Sequence, residues 1–530
     1  MTAETISIVV GVTGHRRIRA EDREPLYRAV TETLTALKAR CPSSRIVMLN
    51  SLAEGADLLC ADAAEALSIP LIAALPMEQT EYETDFSGEA LTRFRAHCGA
   101  AEQCFAVPWT EPAPAEPDRD FLYRQAGVYV AAHAHVLLAL WDGKDGTPDG
   151  CGTAEAVGFA LDAAYRPAAG IPLQASGSVI HIRTPRDGDR PEEKVGEVRF
   201  LGDRAAFDGI LARTDEFNAL SQKTEAPNPG LLPTERERDR CLDRTEALYA
   251  QADALSMRFA ARYRCILAAL AVVSTVITVA FLLYDEAELH WMILVCGLML
   301  LTAWLLQRRG NKLACHRRYL EYRTLAEALR VQTYLRYAGG STEAAAVLPW
   351  SEQVDTAWIA CALRACAIAP AAAAAHDIRD CWVGSQLRYH SKALQKTGRT
   401  RRISDRIVRA AFWISIALYL AVLAFECIWG DLLPVSLSAA HADRFRTVCK
   451  LLLGSVSAAT LFISNYYGKR SLSRAQADHD KMARFYRVAA DRIERFGQTD
   501  ELLLLLAREE LIENGNWCSY QRDNAADFSL

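Results

Sequence analysis

The chain has 530 residues, of which 51% are hydrophobic and 24% charged, and its formal net charge is −5. This composition excludes a largely disordered protein, and the length corresponds to about three domains of roughly 100–200 residues. The negative charge argues against general nucleic-acid binding, which needs an excess of basic residues, so no nucleic-acid partner is expected. The 15 cysteines show no CxxC pair and no zinc spacing. We therefore predict free thiols in a reducing cytoplasm and no metal site.

The first 185 residues alternate between strand-like and helix-like segments. Apolar runs predict strands at 6–10, 45–49, 70–75, 135–141 and 178–182, with helical stretches between them. This alternation predicts a parallel sheet with crossover helices, an α/β Rossmann-like domain. Ligands bind such sheets beyond the carboxyl ends of the strands. Three loops place glycine, hydroxyl and charged residues there.

These three loops have the chemistry of phosphate binding. Glycine lets backbone N–H groups approach an anion, and the N-terminus of a following helix adds a positive end. Arg16 can pair with a phosphate, while Asp57 and Glu155 suit ribose hydroxyls or a base. The alternatives are tight turns or helix caps for the glycines and an exposed loop histidine for His15. The predicted ligand-binding residues are Gly11, Thr13, Gly14, His15, Arg16, Ser51, Gly55, Asp57, Gly150, Gly152, Thr153 and Glu155.

The loops resemble those of the SLOG superfamily, which includes the Smf/DprA-type proteins and the Lonely guy phosphoribohydrolases. The matching motifs are Gly11-Val-Thr-Gly-His-Arg, Ser51-x3-Gly55-x-Asp57 and Gly150-x-Gly152-Thr153-x-Glu155. The resemblance implies that residues 1–185 sense a nucleotide or nucleotide-derived signal, with no resident cofactor. The hydrolase branch has two residues between its Thr and Glu and a Met-x2-Arg-Lys motif, and both are missing here. Ligand sensing is therefore favoured over catalysis, and no catalytic residue is assigned.

Residues 186–240 are rich in proline and charge, which predicts a flexible connector with a short helix at 211–220. Beyond it, apolar residues concentrate in four runs at 265–284, 289–306, 410–429 and 450–467. Because a membrane span needs about 20 apolar residues, four spans are predicted; buried helices of a soluble bundle are the alternative. Basic residues cluster before the first and third runs and after the second and fourth. The positive-inside rule then places both chain termini in the cytoplasm.

The two pairs of spans look like copies of one unit, a lead-in helix, two spans and a long returning helix. This architecture is similar to SLATT domains, the two-helix membrane effectors of bacterial conflict systems. Supporting motifs are Trp382-x3-Gln386-x2-Tyr389-His390 and Glu510-x2-Glu513-Asn514-x2-Trp517. The resemblance implies a multi-pass protein of the bacterial inner membrane that permeabilises the bilayer. The predicted divisions are a sensor at 1–185, the connector, SLATT-like units at 241–340 and 376–520, a cytoplasmic helical insert at 341–375 and a tail at 521–530.

Polar side chains within two of the runs are candidates for lining a pore. In a membrane such side chains face other helices or water, and packing of small residues with locally bonded hydroxyls is the alternative. Glu426 marks either an ion path or an interfacial carboxylate. The pore-lining candidates are Ser274, Thr278, Ser457, Thr460, Ser464 and Asn465.

Three functions follow from these patterns. The preferred one is a defence effector in which a nucleotide or NAD-derived signal gates membrane permeabilisation. It works as a homo-oligomer, because four helices hardly enclose a pore alone. The second is a membrane-anchored enzyme that hydrolyses the N-glycosidic bond of a nucleotide, with Glu155 and Asp57 as acid–base groups. The third is a passive scaffold with a degenerate pocket.

Overall fold

The computed structural model describes residues 4–110, 114, 116–145, 150–162, 177–186, 194–227, 230–233, 235, 239–340, 342–370, 375–425, 439–469 and 472–524. The protein divides into two compact units. The first comprises Met1–Leu255, Glu321–Ile378 and Gln498–Gly515, and the second comprises Ser256–Leu320, Arg379–Gly497 and Asn516–Leu530. The chain therefore passes between the units five times.

The first unit is built on one sheet whose strands are β1 (Ile8–Gly14), β2 (Ile46–Asn50), β3 (Leu71–Leu75), β4 (Gln103–Ala106), β5 (Val136–Trp141), β6 (Val179–Arg183) and β7 (Val198–Leu201). Their order across the sheet is β4-β3-β2-β1-β5-β6-β7. All neighbouring pairs are parallel except β6 and β7. The chain thus builds outward from β1 on one side, then returns to build on the other side, which makes the gap between β1 and β5 a topological switch point.

The helices of the N-terminal part are α1 (Arg23–Arg40), α2 (Ala56–Ala66), α3 (Gln79–Tyr82), α4 (Gly88–Ala100), α5 (Arg119–His133), α6 (Thr153–Leu161) and α7 (Arg204–Ser221). The later helices are α8 (Arg240–Glu286), α9 (Met292–Leu313), α10 (Cys315–Tyr337), α11 (Ala344–Val347), α12 (Trp350–Asp355), α13 (Ala357–Ala367), α14 (Ser385–Ala424), α15 (Ala439–Lys469), α16 (Leu472–Phe496) and α17 (Asp500–Asp523).

The central strands are apolar along their whole length because helices cover both faces of the sheet. Every residue of β2, β3 and β5 is buried. One apolar cluster joins the sheet to α1, α2, α4 and α7, and a second joins it to α5, α6 and α13. Ala365 of α13 belongs to the second cluster. The predicted α/β Rossmann-like class is thus confirmed, and part of the 341–375 insert packs on this sheet.

The structure differs from the prediction over residues 186–240, where a flexible connector was expected. Strand β7 pairs with β6, and α7 is an 18-residue helix rather than a short one at 211–220. Phe207, Leu211 and Phe217 of α7 are buried, and Asp203 caps its start by accepting from the Ala206 N–H at 3.0 Å. The apolar residues repeat at helical spacing, but charged residues between them lower the mean hydropathy and hide the pattern.

Among the described residues, four helices are long and apolar enough to span a membrane, as predicted. They lie within Arg240–Glu286, Met292–Tyr337, Arg379–Ala424 and Asp443–Ser464. At most 11% of each most apolar window is buried within the protein. Buried helices of a soluble bundle would show the opposite, so this exposure favours lipid contact. Glu426 lies outside the described residues.

A buried ion network joins α10 to α17 within the first unit. The Arg330 guanidinium donates to Glu510 Oε1 from Nε at 3.0 Å and from Nη2 at 2.6 Å, and it also pairs with Glu327. All three side chains are less than a tenth exposed. Because unpaired buried charges cost several kcal/mol, this network fixes the position of α17 against α10. Glu510 of the predicted SLATT-like motif therefore has a packing role.

Candidate functional site

A cavity of about 620 Å³ opens at the switch point of the sheet, beyond the carboxyl ends of β1 and β5. Its volume falls within the range of small-molecule and cofactor sites. Side chains from loops after β1, β2 and β3, from α5, and from the start of α6 form the wall. The polar and charged lining residues are Thr13, His15, Arg16, Arg17, Ser51, Asp57, Tyr82, Asp120, Tyr123, Cys151, Thr153 and Arg186.

The cavity brings together most of the predicted ligand-binding residues. Thr13, Gly14, His15, Arg16, Ser51, Asp57, Gly152 and Thr153 all line it. Gly11, Gly55, Gly150 and Glu155 do not contribute to its wall. The loop at 146–149 lies outside the described residues. The three loops predicted from the sequence therefore meet at one place, although four of their residues do not line the cavity.

Two of these glycines are required by close packing rather than by ligand approach. Gly55 has φ of +90°, and a Cβ there would lie 2.2 Å from the carbonyl oxygen of Arg16. A Cβ on Gly14 would lie 2.3 Å from the Cβ of Ala56. The Ala56 N–H donates to the His15 carbonyl at 3.0 Å. The first loop thus packs directly against the start of α2. The Ala56 N–H is hydrogen-bonded to the protein and is not left for a ligand.

Asn50, which the sequence analysis did not select, organises the second loop from beneath. It is fully buried; its Nδ2 donates to the Asp57 carbonyl at 2.9 Å, and its Oδ1 accepts from the Leu52 N–H at 2.7 Å. Leu52 has φ of +58°, which a side chain rarely adopts. Asn side chains often bond backbone groups of a turn in place of backbone partners. An asparagine at the end of an apolar strand was therefore the signal in the sequence that would have identified Asn50.

The carboxyl group of Asp57 is the most perturbed acid on the cavity wall. Burial raises its pKa to about 7, although the Ala53 N–H and the Arg16 charge both act to lower it. The Ala53 N–H donates to Oδ2 at 3.2 Å. Near neutral pH this group exists in both protonation states, so it can donate to a ligand or accept from one. Burial and the nearby Asp57 also raise the pKa of Tyr82, which stays a neutral phenol.

Arg16 is held at the cavity by an aromatic ring instead of a carboxylate. Its guanidinium carbon lies 4.5 Å from the centre of the Tyr123 ring. The Tyr123 hydroxyl donates to Asp85, which also pairs with Arg119. Stacking orients a guanidinium while leaving N–H groups for an anion. Neither aromatic residue, Tyr82 or Tyr123, was predicted, because they come from segments between strand ends and carry no motif.

His15 connects the loops after β1 and β5. It is 8% exposed, so an exposed loop histidine is excluded. The Asp142 N–H donates to Nε2 at 3.1 Å, which makes that nitrogen an acceptor and places the ring proton on Nδ1. The buried Asp142 carboxylate in turn lies 2.9 Å from Nε of Arg186. Arg186 reaches the cavity wall, and its place in a polar segment gave no signal in the sequence.

Glu155 caps the start of its own helix. Its Oε2 accepts from the Gly152 N–H at 2.9 Å, and the residue is 6% exposed. This corresponds to the reciprocal half of a capping box. The side chain therefore shapes the loop that presents Gly152 and Thr153 to the cavity. The geometry does not place it where a ligand or a scissile bond would lie.

In the second unit, two of the predicted pore-lining residues, Thr278 and Thr460, form hydrogen bonds within their own helices. Thr278 donates to the Ser274 carbonyl at 3.0 Å, and Thr460 donates to the Val456 carbonyl at 2.7 Å. Ser457 and Ser464 are exposed. The side chain of Asn465 lies outside the described residues. These bonds agree with the alternative interpretation for the two threonines, in which the hydroxyls are bonded locally and the helices pack together. The exposed serines remain the candidates for lining a pore.

Comparison with known proteins locates one family match. Residues 247–343 match a family described as a protein of unknown function, DUF4231. The match begins in α8, includes the first pair of apolar helices and α10, and covers less than half of the chain. No curated protein matches the chain. The similarity therefore covers the first pair of apolar helices together with α10.

Proposed function

We propose that this protein is a membrane effector of a bacterial defence system. Its SLOG-like first unit binds a nucleotide or NAD-derived signal, and binding opens the inner membrane through SLATT-like hairpins of an oligomer. The defence role and the cytoplasmic position of both termini rest on the sequence resemblances and on the loop charges. The ligand class rests on the cavity. One observation carries it: a 620 Å³ cavity at the switch point combines Arg16, Arg186 and the start of α6 with Asp57.

The chemistry of the wall suits a ligand with separate anionic and sugar-like parts. Arg16 and Arg186 supply charge-assisted donors for a phosphate, and Thr153 supplies a hydroxyl at a helix start. Asp57 and Tyr82 lie on the same wall and can exchange hydrogen bonds with hydroxyls of a ribose. A ligand of this class would therefore bind its anionic part to the arginines and its sugar hydroxyls to Asp57 and Tyr82.

Helix α5 offers a path from the cavity toward the segment between the hairpins. Tyr123 and Gly127 line the cavity, and His133 at the other end lies 2.8 Å from Oε1 of Glu343. The His133 Nδ1 lies 2.8 Å from the Tyr129 carbonyl, so both ring nitrogens face oxygen atoms. Burial raises the pKa of Glu343, but His133 outweighs it and the net shift is downward. The contact between His133 and Glu343 thus ties the cavity helix to residues 321–378.

The test compares ligand binding with membrane leakage for the full chain in liposomes. A panel of nucleotides, cyclic nucleotides and NAD derivatives is screened by calorimetry and by dye release. Arg16→Gln should weaken binding of the active compound by about 10- to 100-fold, the value of a lost bond to a charged group. Arg28→Gln, an exposed arginine of α1, is the matched control. Glu343→Gln should leave binding unchanged and reduce release. Silence across the whole panel would overturn the proposal.

A second function is favoured by one observation, the pKa of Asp57 near 7 on the cavity wall. A carboxyl group in this range suits general acid–base catalysis of N-glycosidic cleavage. Glu155, the other group of that hypothesis, caps its helix instead. Chromatography of each compound after incubation distinguishes the functions: consumption that Asp57→Asn abolishes establishes the enzyme, and an intact compound rejects it.

A further inference from the structure

The exposed side of α14 carries a row of basic side chains, here called the α14 basic face. It consists of Arg388, Lys392, Lys396, Arg399, Arg402, Arg406 and Arg409. Spacings of three and four residues place them along one side of the helix, and all seven are exposed. Between residues 385 and 409 the helix has eight basic residues and one acidic residue.

The opposite side of this segment packs against α16, within the second unit. His390 is buried and its Nδ1 lies 3.1 Å from Nδ1 of His479. A Cβ on the buried Gly398 would lie 3.7 Å from Nε2 of Gln476. Within the part of the chain that the structure describes, no side chain of the α14 basic face forms an ion pair with a carboxylate; Arg409 donates from Nε to the Asp405 backbone carbonyl at 3.1 Å. The face therefore has no counter-charge in its own helical pair.

Helix α16 shows that a polar exposed side does not require this arrangement. Its basic residues alternate with acidic ones and pair along the helix. Arg474 lies 3.8 Å and Lys481 4.0 Å from Asp478, and Arg484 pairs with Asp480. Mixed charges would have kept α14 equally soluble. Residues 385–404 of α14 include no Asp or Glu, so the distal part of the α14 basic face favours an anionic partner.

Lipid headgroups account for only the nearer part of this face. At 1.5 Å per residue, Arg399 lies about 16 Å and Arg388 about 33 Å from the start of the apolar segment at Ala410. Headgroups extend about 5–8 Å beyond the hydrocarbon, and the Debye length is about 8 Å. The distal four residues of the face lie at this limit (Arg399) or beyond it (Arg388, Lys392 and Lys396).

The chain itself supplies a strongly acidic surface. The first unit has 31 basic and 51 acidic residues, a net charge of −20. The second has 29 basic and 14 acidic residues, a net charge of +15. In the proposed membrane orientation, every copy carries its first unit and its distal four residues on the cytoplasmic side. Opposite charges on the same side of the membrane favour association between copies.

We propose that the distal four residues of α14 bind the acidic first unit of a second copy of this chain. Such a contact joins different surfaces of the two copies, and repetition of a contact of this type forms a ring when the rotation between copies closes and a filament when it does not. The inference rests on the proposed membrane orientation, and it extends the proposed function by giving the oligomer an electrostatic, head-to-tail interface.

The test measures the mass of the detergent-solubilised full chain by light scattering across a dilution series at low and high salt. Arg388→Gln/Lys392→Gln/Lys396→Gln/Arg399→Gln removes the distal four. Arg484→Gln/Arg487→Gln/Arg492→Gln/Arg495→Gln removes the same charge from exposed positions of α16 and is the control. The first variant should raise the dissociation constant at least about tenfold, as four exposed ion pairs allow, and lose its salt dependence. The control should stay within about twofold of the native chain. Circular dichroism verifies that both variants fold.

Three outcomes overturn the inference. One is an unchanged mass for the first variant, and another is an equal loss in the control, which would show a general effect of net charge. In the third, the native chain binds a labelled single-stranded oligonucleotide, and the first variant loses this binding while its mass stays unchanged. That result identifies nucleic acid as the partner. Because the assay needs no ligand, assembly through α14 without triggered dye release would refute only the proposed function.

Discussion

Replacing Gly55 by alanine should damage the first ligand loop through a backbone clash. The φ of +90° costs an L-residue about 1–2 kcal/mol. The new Cβ would also lie 2.2 Å from the Arg16 carbonyl oxygen and 2.6 Å from that of His15. These are backbone atoms, so no side-chain rotation relieves the contact. Overpacking of this type costs about 1–3 kcal/mol. We expect the variant to lose about 2–5 kcal/mol of stability in the first unit.

Gly88→Ala separates the clash from the backbone strain. Gly88 has φ of +53°, and nothing lies within 4 Å of a Cβ built there, so only the strain of about 1–2 kcal/mol remains. The unfolding entropy is about 2.1 cal/mol/K per residue. For a unit of this size, each 1 kcal/mol of lost stability therefore lowers the unfolding midpoint by about 1.4 °C. Thermal unfolding should therefore fall by about 3–7 °C for Gly55→Ala and about 1.5–3 °C for Gly88→Ala. Equal shifts would refute the assigned contact with the first loop.

Three further predictions concern buried groups. The folded-state pKa of Asp57, about 7, lies above its ordinary 3.8, so ionisation opposes folding and stability falls as pH rises between these values; thermal unfolding of Asp57→Asn should lose this slope. Glu510→Gln should cost about 1.5–3 kcal/mol by urea unfolding, because the buried Arg330 loses its ionic bond to Glu510 but keeps its pair with Glu327. Glu155→Ala should cost about 1 kcal/mol through the lost Gly152 cap, while Glu155→Gln should keep most of it. Equal loss in both Glu155 variants would contradict a capping role.

The apolar runs of the sequence carried enough information to predict the sheet and the four long helices. Strands covered on both faces are continuous apolar segments, and long apolar helices are equally distinct. Strand β4 was missed because it has only four residues and one of them is buried. The order of the strands, and hence the switch point, depends on contacts between distant segments that no local pattern reports.

The sequence predicted the loop residues of the candidate site, but it did not predict the side chains that complete the cavity wall. Thr13, Ser51 and Thr153 follow strands whose carboxyl ends meet at one edge, so periodicity alone placed them together. Tyr123 reaches the same cavity from within helix α5, and Arg186 comes three residues after β6 in a polar segment that carries no motif. The contribution of Tyr123 arises only when its crossover helix folds back across the sheet. Sequence spacing predicts which strand ends converge, but it does not predict which crossovers cover them.

Charge shows how a whole-chain average misleads. A net charge of −5 is the small difference between −20 in the first unit and +15 in the second. The argument against nucleic-acid binding from composition therefore applies to the first unit and has no force for the second, whose basic residues concentrate on α14. For this reason the oligonucleotide arm is essential to the test of the α14 basic face. Electrostatic attraction acts between local surfaces within about one Debye length, so the charge of each face, and not the mean, decides which partner it attracts.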